Sequence, residues 1–464
     1  MPNIKIVRLL IVLALCVMMA AAVKVRSEAI LQTKYKSIDE MVYHRLAVQI
    51  QWGLENYHTI PLAHKLSDAG RDLPDYFFEP LFKHPPLFTF FNYAVYQTFG
   101  ITPLSPFYVT LACGVLMIPL VYLFGAYVFN LWVGFFSALV MALDPVTIIC
   151  SQKVWPDSMI GLWVTLALFA FTWSLARNNN RGFVFSGFVS GLGALTKYTG
   201  ALGTIICFVY AAVYDRKLFR NPYFWACLLI PLIMLIPWFA WNVHVYGWKF
   251  FAMQIQLHSN SEHFAKVKHK LLVLVLAAAT ALVFFFKYVR KFSVKSGART
   301  NIRIAAGCAA VLLLWEYIVR SFNLFHLPRV SWAGAAFYGS PPYFYLARLL
   351  EWNLVSFFAM LAFFIPKKEC RPGELLLRVG FITVIIAFTM WGAYQSRYII
   401  AAIPLCIMIG VNFLCELFAG AYELDSLWAR MLGYGALAAF GCMMVLKLIY
   451  INHMISYTND MCYF

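Results

Sequence analysis

Between positions 107 and 127 the chain reads FYVTLACGVLMIPLVYLFGAY, 21 residues without a single charge. An α-helix needs about 20 predominantly apolar residues to cross the hydrocarbon core of a bilayer, and a helix apolar on every side has little use in water. The pattern recurs. Apolar runs lie near 7–23, 107–127, 133–149, 158–176, 182–196, 200–213, 223–241, 271–286, 304–319, 351–365, 376–394, 398–417 and 430–450, about thirteen candidate spans. With 62% hydrophobic and 12% charged residues, the chain reads as an all-α polytopic membrane protein, because only helices satisfy their own backbone in lipid without closing a barrel.

The first run follows Lys5 and Arg8 and ends in Ala20-Ala21-Ala22. It is either an anchor or a cleaved signal, and both deliver the following segment outside. The stretch PLFTFFNYAVYQTFG, 86–100, is opened by Pro85-Pro86 and interrupted by Asn92 and Gln97, so it is expected to lie at the interface rather than cross. That choice sends every strongly basic loop to one face: RNNNR (Arg177, Arg181), YDRKLFRN (Arg216, Lys217, Arg220), the run from Lys287 to Arg303, and PKKECRPGELLLR (Lys367, Lys368, Arg371, Arg378). By the positive-inside rule this face is the cytosolic one. The net charge of +17 is therefore read as topogenic, and nucleic acid is not an expected partner. Eleven cysteines without a CxxC pair read as small buried hydrophobes. The chain divides into a first transmembrane helix (1–23), an external loop with juxtamembrane helices (24–106), a transmembrane bundle (107–450) and a short tail (451–464).

Acidic chemistry is concentrated in the first external loop. Glu28, Asp39, Glu40, Glu55, Asp68, Asp72, Asp75 and Glu79 lie there, out of 20 acids in the whole chain. Carboxylates beside a bilayer are costly unless paired, metal-bound or facing water, which makes them functional candidates. Asp157, at the outer start of a span, has an ordinary alternative as a helix N-cap. Asp144 before Pro145 has one as a kink. The same outer face carries Lys83-His84, Lys197 and Arg397, cations that either snorkel to headgroups or hold a phosphate.

Taken in order, these pieces resemble a known group. Asp39-Glu40 with Tyr43, HTIP (His58 to Pro61), KHPPLFTFFNYAVYQTFG, Pro145 followed by Asp157, GFVSGLGALTKYTG, GSPPYFYLARLL with Tyr345, and SRYIIAAIP (Ser396 to Pro404) are similar to the GT-C fold membrane glycosyltransferases. The likeness is to their protein-mannosyltransferase and lipid A aminoarabinose-transferase group. The resemblance covers residues 5 to 410 or so. It implies transfer of one sugar from a polyprenyl-phosphate carrier to an acceptor hydroxyl on the non-cytoplasmic side, with inversion. It further implies Asp39 as base or acceptor-orienting group, with Glu40 beside it and Asp157 in the same pocket. Lys83 or His84, Lys197, Arg397 and Tyr398 would hold the donor phosphate, and Tyr43, His58 and Tyr345 would line the acceptor side. Many relatives carry Lys directly before the Pro pair, where this chain has His84.

The chemistry is consistent with a single base. A phosphate leaves as an anion and needs no general acid, whereas the attacking hydroxyl must lose a proton as the bond forms. Glu40 either orients Asp39, binds a cation with it or points away, since neighbours on a helix differ by about 100°. No cofactor is required; a divalent metal is possible from Asp39, Glu40, Asp157, His258 and His263, without a ligand-spacing signature. The competing classes are a secondary transporter or lipid flippase and a structural subunit; transporters usually show similar halves and acids inside spans, whereas here the halves are dissimilar and the acids concentrate in an external loop. A bacterial inner membrane with a periplasmic active face is expected ahead of the endoplasmic reticulum. The expected partners are the lipid-linked donor, a lipid or glycan acceptor and membrane lipids.

Overall fold

A computed structural model describes residues 4–32, 37–70, 73, 75–251, 344–364, 370–391, 395–422 and scattered positions from 427 to 449. Among these residues the regular structure is entirely helical. The candidate spans at 271–286 and 304–319, about half of the one at 430–450, and His258 and His263 lie outside the described residues.

Five described helices are long and apolar enough to cross a membrane: Lys5–Leu31, Ser105–Val128, Asp157–Arg177, Pro222–Tyr246 and Pro372–Met390. Leu131–Leu143 with Pro145–Ser151 makes a sixth if that bent pair counts as one span, and Tyr198–Val213 and Ile403–Ala419 are shorter apolar helices. The chain is a multi-pass membrane protein, but the described residues do not yield a count of thirteen. The expected span at 133–149 is broken where Asp144 turns extended (φ −67°, ψ 122°) and Pro145, which has no N–H to give, starts the next helix. The expected span at 351–365 is likewise interrupted, for Asn353 ends one helix and its Oδ1 accepts from Val355 N at 3.1 Å, starting another.

The chain forms two compact units. The first comprises Met1–Phe124 and Val146–Glu262. Its helices are α1 (Ile4–Gln32), α2 (Ile38–Gln49), α3 (Ile60–Asp68), α4 (Leu87–Phe99), α5 (Tyr108–Val128, its last four residues assigned to the second unit), α7 (Pro145–Ser151), α8 (Asp157–Arg177), α9 (Asn180–Thr196), α10 (Leu202–Val213) and α11 (Pro222–Tyr246). The second, Gly125–Pro145 and His263–Phe464, holds α6 (Leu131–Leu143), α12 (Phe344–Trp352), α13 (Val355–Phe364), α14 (Pro372–Trp391) and α15 (Ile403–Tyr422). These units cut across the linear division expected from hydropathy.

In the first unit α9 is the central element, packed against α8 on one side and α11 on the other. Gly187 and Gly191, a G-x-x-x-G pair, explain the second contact. A β-carbon at Gly187 would lie 2.8 Å from Cys227 Cα of α11, and one at Gly191 would run into the Met234 thioether. Small residues at this spacing let two helices approach in lipid, where apolar burial supplies little attraction between them. Helix α4, at 13 residues, spans about 20 Å and is too short to cross. It starts after Pro86 and stops at Gly100, whose φ of 71° suits glycine. Helix α1 runs to Gln32, past the expected end at 23; its last turns carry Arg26, whose buried guanidinium donates from Nε to Ser151 Oγ at 2.9 Å.

In the second unit α15 packs on α13, α6 and α14. Arg371, one of the arginines assigned to the cytosolic face, donates to the carbonyls of Val128 (3.0 Å) and Phe129 (3.2 Å) at the end of α5. Arg378 pairs with Glu374 at 2.7 Å and donates to Ala362 O.

Candidate active site

The acidic pair sits in the first turn of α2, where the sequence places a capping box. Glu40 N donates to Ser37 Oγ (3.3 Å) and Ser37 N donates to Glu40 Oε2 (2.8 Å), so two orphan donors satisfy each other's residues. The same carboxylate then meets Lys153 Nζ at 3.5 Å, with both side chains less than a tenth exposed. Trp155 Nε1 closes the junction by donating to Ser37 Oγ at 3.1 Å. Glu40 is thus committed to holding α2 on the segment between α7 and α8. Asp39, one residue earlier on the helix, is only half-buried.

That segment leads directly into Asp157. The ordinary alternative for this residue fails: Pro156 is the N-cap, Asp157 is the first helical residue, and no side chain caps the turn. Its carboxylate is buried. Lys197 Nζ stands 3.9 Å from Oδ1, while Oδ2 has no hydrogen-bond partner, and neither has the neighbouring buried Ser158 Oγ. A buried carboxylate oxygen left without a donor costs free energy and requires an explanation such as a ligand. Lys197 reaches it because the chain leaves α9 in an extended conformation (φ −166°, ψ 145°) and enters a short 3₁₀ turn, Tyr198–Ala201. Gly200 makes that turn possible, since any β-carbon there would collide with the Gly193 backbone.

An aromatic cluster forms the next wall. Tyr43 on α2 meets Phe82 (5.8 Å), Phe88 (5.2 Å) and His84 (6.5 Å) edge-on, and the His84 ring stacks on Phe82 at 5.3 Å. Tyr57 is fully buried at its centre, against Trp238 of α11, with its hydroxyl 3.3 Å from Thr89 Oγ1. Burial pushes its phenol well above the usual range. Tyr246 of α11 both donates to Leu81 O (3.0 Å) and accepts from Leu81 N (3.1 Å), fixing the strand of residues before Lys83. His84 is therefore built into the cluster, whereas Lys83 is half-buried at its edge. His58, beside Tyr57, is half-buried with Nδ1 unpartnered, and desolvation lowers its pKa from the ordinary 6.5.

Tyr345, Arg397 and Tyr398 belong to the second unit and come together there. Phe388 joins them, packing 6.4 Å from Tyr345 and stacking 5.7 Å from Tyr398. The Arg397 guanidinium lies 5.5 Å over the Tyr398 ring and donates from Nε to Gln395 Oε1 at 2.5 Å. Two further groups escaped sequence reasoning, and one acid found a partner that the sequence did not indicate. Lys153 was visible in SQKVWPD as a cation two positions before Trp155. Arg348, buried between the Phe344 (5.4 Å) and Trp352 (5.6 Å) rings, lay within the motif GSPPYFYLARLL. The buried Asp144 accepts from Asn353 Nδ2 at 3.3 Å, a pairing across 209 positions that no local signal announces. Among the described residues no three His, Cys, Asp or Glu side chains come together as a metal site.

Residues 83–241 match the family model described as dolichyl-phosphate-mannose-protein mannosyltransferase. No curated protein matches the chain in sequence. Among solved structures, ArnT from Cupriavidus metallidurans in the apo state is similar over 96% of this chain and 72% of its own, with a TM-score of 0.54 and 15% identity. The archaeal oligosaccharyltransferase AglB from Archaeoglobus fulgidus, in complex with an inhibitory peptide and a dolichol-phosphate, is similar over 96% of this chain with a TM-score of 0.55 and 16% identity. This chain spans 55% of that enzyme's length. The protein has the GT-C glycosyltransferase fold. The expected likeness to the mannosyltransferase and ArnT group is thereby found, in a family model over part of the chain and in overall topology.

Proposed function

We propose that the protein transfers a sugar from a polyprenyl-phosphate carrier to an acceptor hydroxyl at the outer face of a bacterial inner membrane, with inversion at the anomeric carbon. Residues 24–106 supply the base and the cap of the site. The single observation that carries this reading is the seating of the first turn of α2 on the segment that ends in Asp157. It places Asp39, in the first turn of α2, and Asp157, whose buried Oδ2 has no hydrogen-bond partner, at neighbouring helix starts. Two of the three acids have a chemical role and one, Glu40, has a positioning role.

The reaction follows from those assignments. The acceptor oxygen attacks the anomeric carbon, its proton passes to Asp39, and the bond from carbon to phosphate oxygen breaks with both electrons going to the phosphate. Asp157, held by Lys197, orients the incoming hydroxyl through its free oxygen. Lys83, at the rim of the aromatic cluster, meets the phosphate in preference to His84, whose ring is stacked inside it. A guanidinium such as that of Arg397 is the better geometric match for two phosphate oxygens. Tyr43 and His58 border the acceptor side. The complex of the archaeal neighbour with a dolichol-phosphate supports the carrier class.

The test is a transfer assay in lipid nanodiscs, following product by mass spectrometry and donor binding in parallel. Asp39→Asn is expected to bind donor as the parent does and to lose transfer by about 10²–10⁴-fold. Transfer at the parental rate by that variant would overturn the assignment.

A further inference from the structure

A groove lies at the other end of the α8–α9 hairpin. Helix α8 has 21 residues, from Asp157 to Arg177, and extends about 31 Å along its axis to the face that the basic loops assign to the cytosol. There the groove, of about 860 Å³, opens between α9 and α11. Its polar end is lined by Arg177 and Arg181 and by no carboxylate. The turn between them is shaped by Asn178 in the left-handed region (φ 49°) and by Asn179, which caps α9 by accepting from Arg181 N. Asn221 caps α11 in the same way and donates to Asn180 Oδ1 at 3.0 Å, so two helix N-termini converge on the groove. Both the guanidinium groups and the helix ends favour an anion.

The rest of the groove is apolar. Phe185 and Phe188 of α9 are about half exposed and Ile230 of α11 lines the opposite wall, while Tyr223 stands at the rim as an interfacial aromatic. A free phosphate would fill the cationic end and leave those walls empty. We infer that this groove binds one anionic phospholipid, its phosphate between Arg177 and Arg181 and an acyl chain along Phe185, Phe188 and Ile230. The bound lipid braces α9 against α11 at the end opposite Lys197.

Native mass spectrometry of the full chain with phosphatidylglycerol or phosphatidylcholine, paired with melting temperatures, tests the site. The parent is expected to retain phosphatidylglycerol over phosphatidylcholine and to melt higher with it. Arg177→Gln/Arg181→Gln is expected to lose about tenfold in that affinity, and Arg181→Lys to recover most of it. Ile230→Glu, which keeps both arginines but puts a carboxylate in the groove, gives the same loss if the double variant folds poorly. Equal retention of the two lipids, unchanged by these substitutions, would overturn the site. So would inorganic phosphate alone stabilising the protein as well as the lipid does.

Discussion

Glu40 shows how one residue's burial decides its role. Paired with Lys153 and bound into the capping box, it anchors α2. Removing one member of a buried pair leaves an uncompensated charge, which costs about 3–5 kcal/mol, whereas removing both costs much less. Lys153→Met is therefore expected to lower the melting temperature sharply, and Lys153→Met with Glu40→Gln to restore most of it, as differential scanning fluorimetry would show. A merely surface pair would give additive, small shifts. His58 supplies a pH dependence. Its folded pKa lies below the ordinary 6.5 because of desolvation, so the unfolded chain takes up a proton first as pH falls. Stability from this residue is present above pH 6.5 and is lost as pH drops toward the folded value. His58→Gln should flatten the melting temperature as pH falls below 6.5; an identical profile in parent and variant would contradict it. Asp39 and Asp157 were legible as candidates because carboxylates beside lipid demand a reason. That Asp157 does not cap its helix was not legible, since the cap depends on backbone geometry at Pro156.

Helix α9 shows what patterning conveys at the next scale. Its small residues are visible in GFVSGLGALTKYTG, but which helix they face is not. Gly187 closes on α11 and Gly200 closes on Gly193, so the motif both packs the hairpin and aims Lys197 at Asp157. Gly187→Leu is expected to wedge α9 from α11 and destabilise by about 1–3 kcal/mol, read as a lower melting temperature with donor binding weakened in proportion. Gly200→Ala should weaken transfer more than it lowers the melting temperature, because it displaces the turn that carries Lys197 while α9 itself stays packed. The broken helices at Asp144 and Asn353 were the elements least available to hydropathy, which averages over a window and does not see a proline or an asparagine stop one helix and start another.

Across the whole molecule, membrane residence follows from amounts, too much apolar surface for water, and the expected sidedness rests on the spacing of the basic loops. Single cysteines are expected to confirm the sidedness. Lys83→Cys should react with a membrane-impermeant maleimide in intact spheroplasts and Lys217→Cys only after permeabilisation; the reverse pattern would invert the topology. What the amino-acid order determined by itself was therefore the solvent, the helical class and the location of the acids, because hydrophobic length and charge are local, additive properties of a chain. Only the tertiary structure decided which acid is spent on structure and which keeps an oxygen without a donor. Glu40 and Lys153, Asp157 and Lys197, and Asp144 and Asn353 are separated by tens to hundreds of residues, and pairing a charge depends on distance in space.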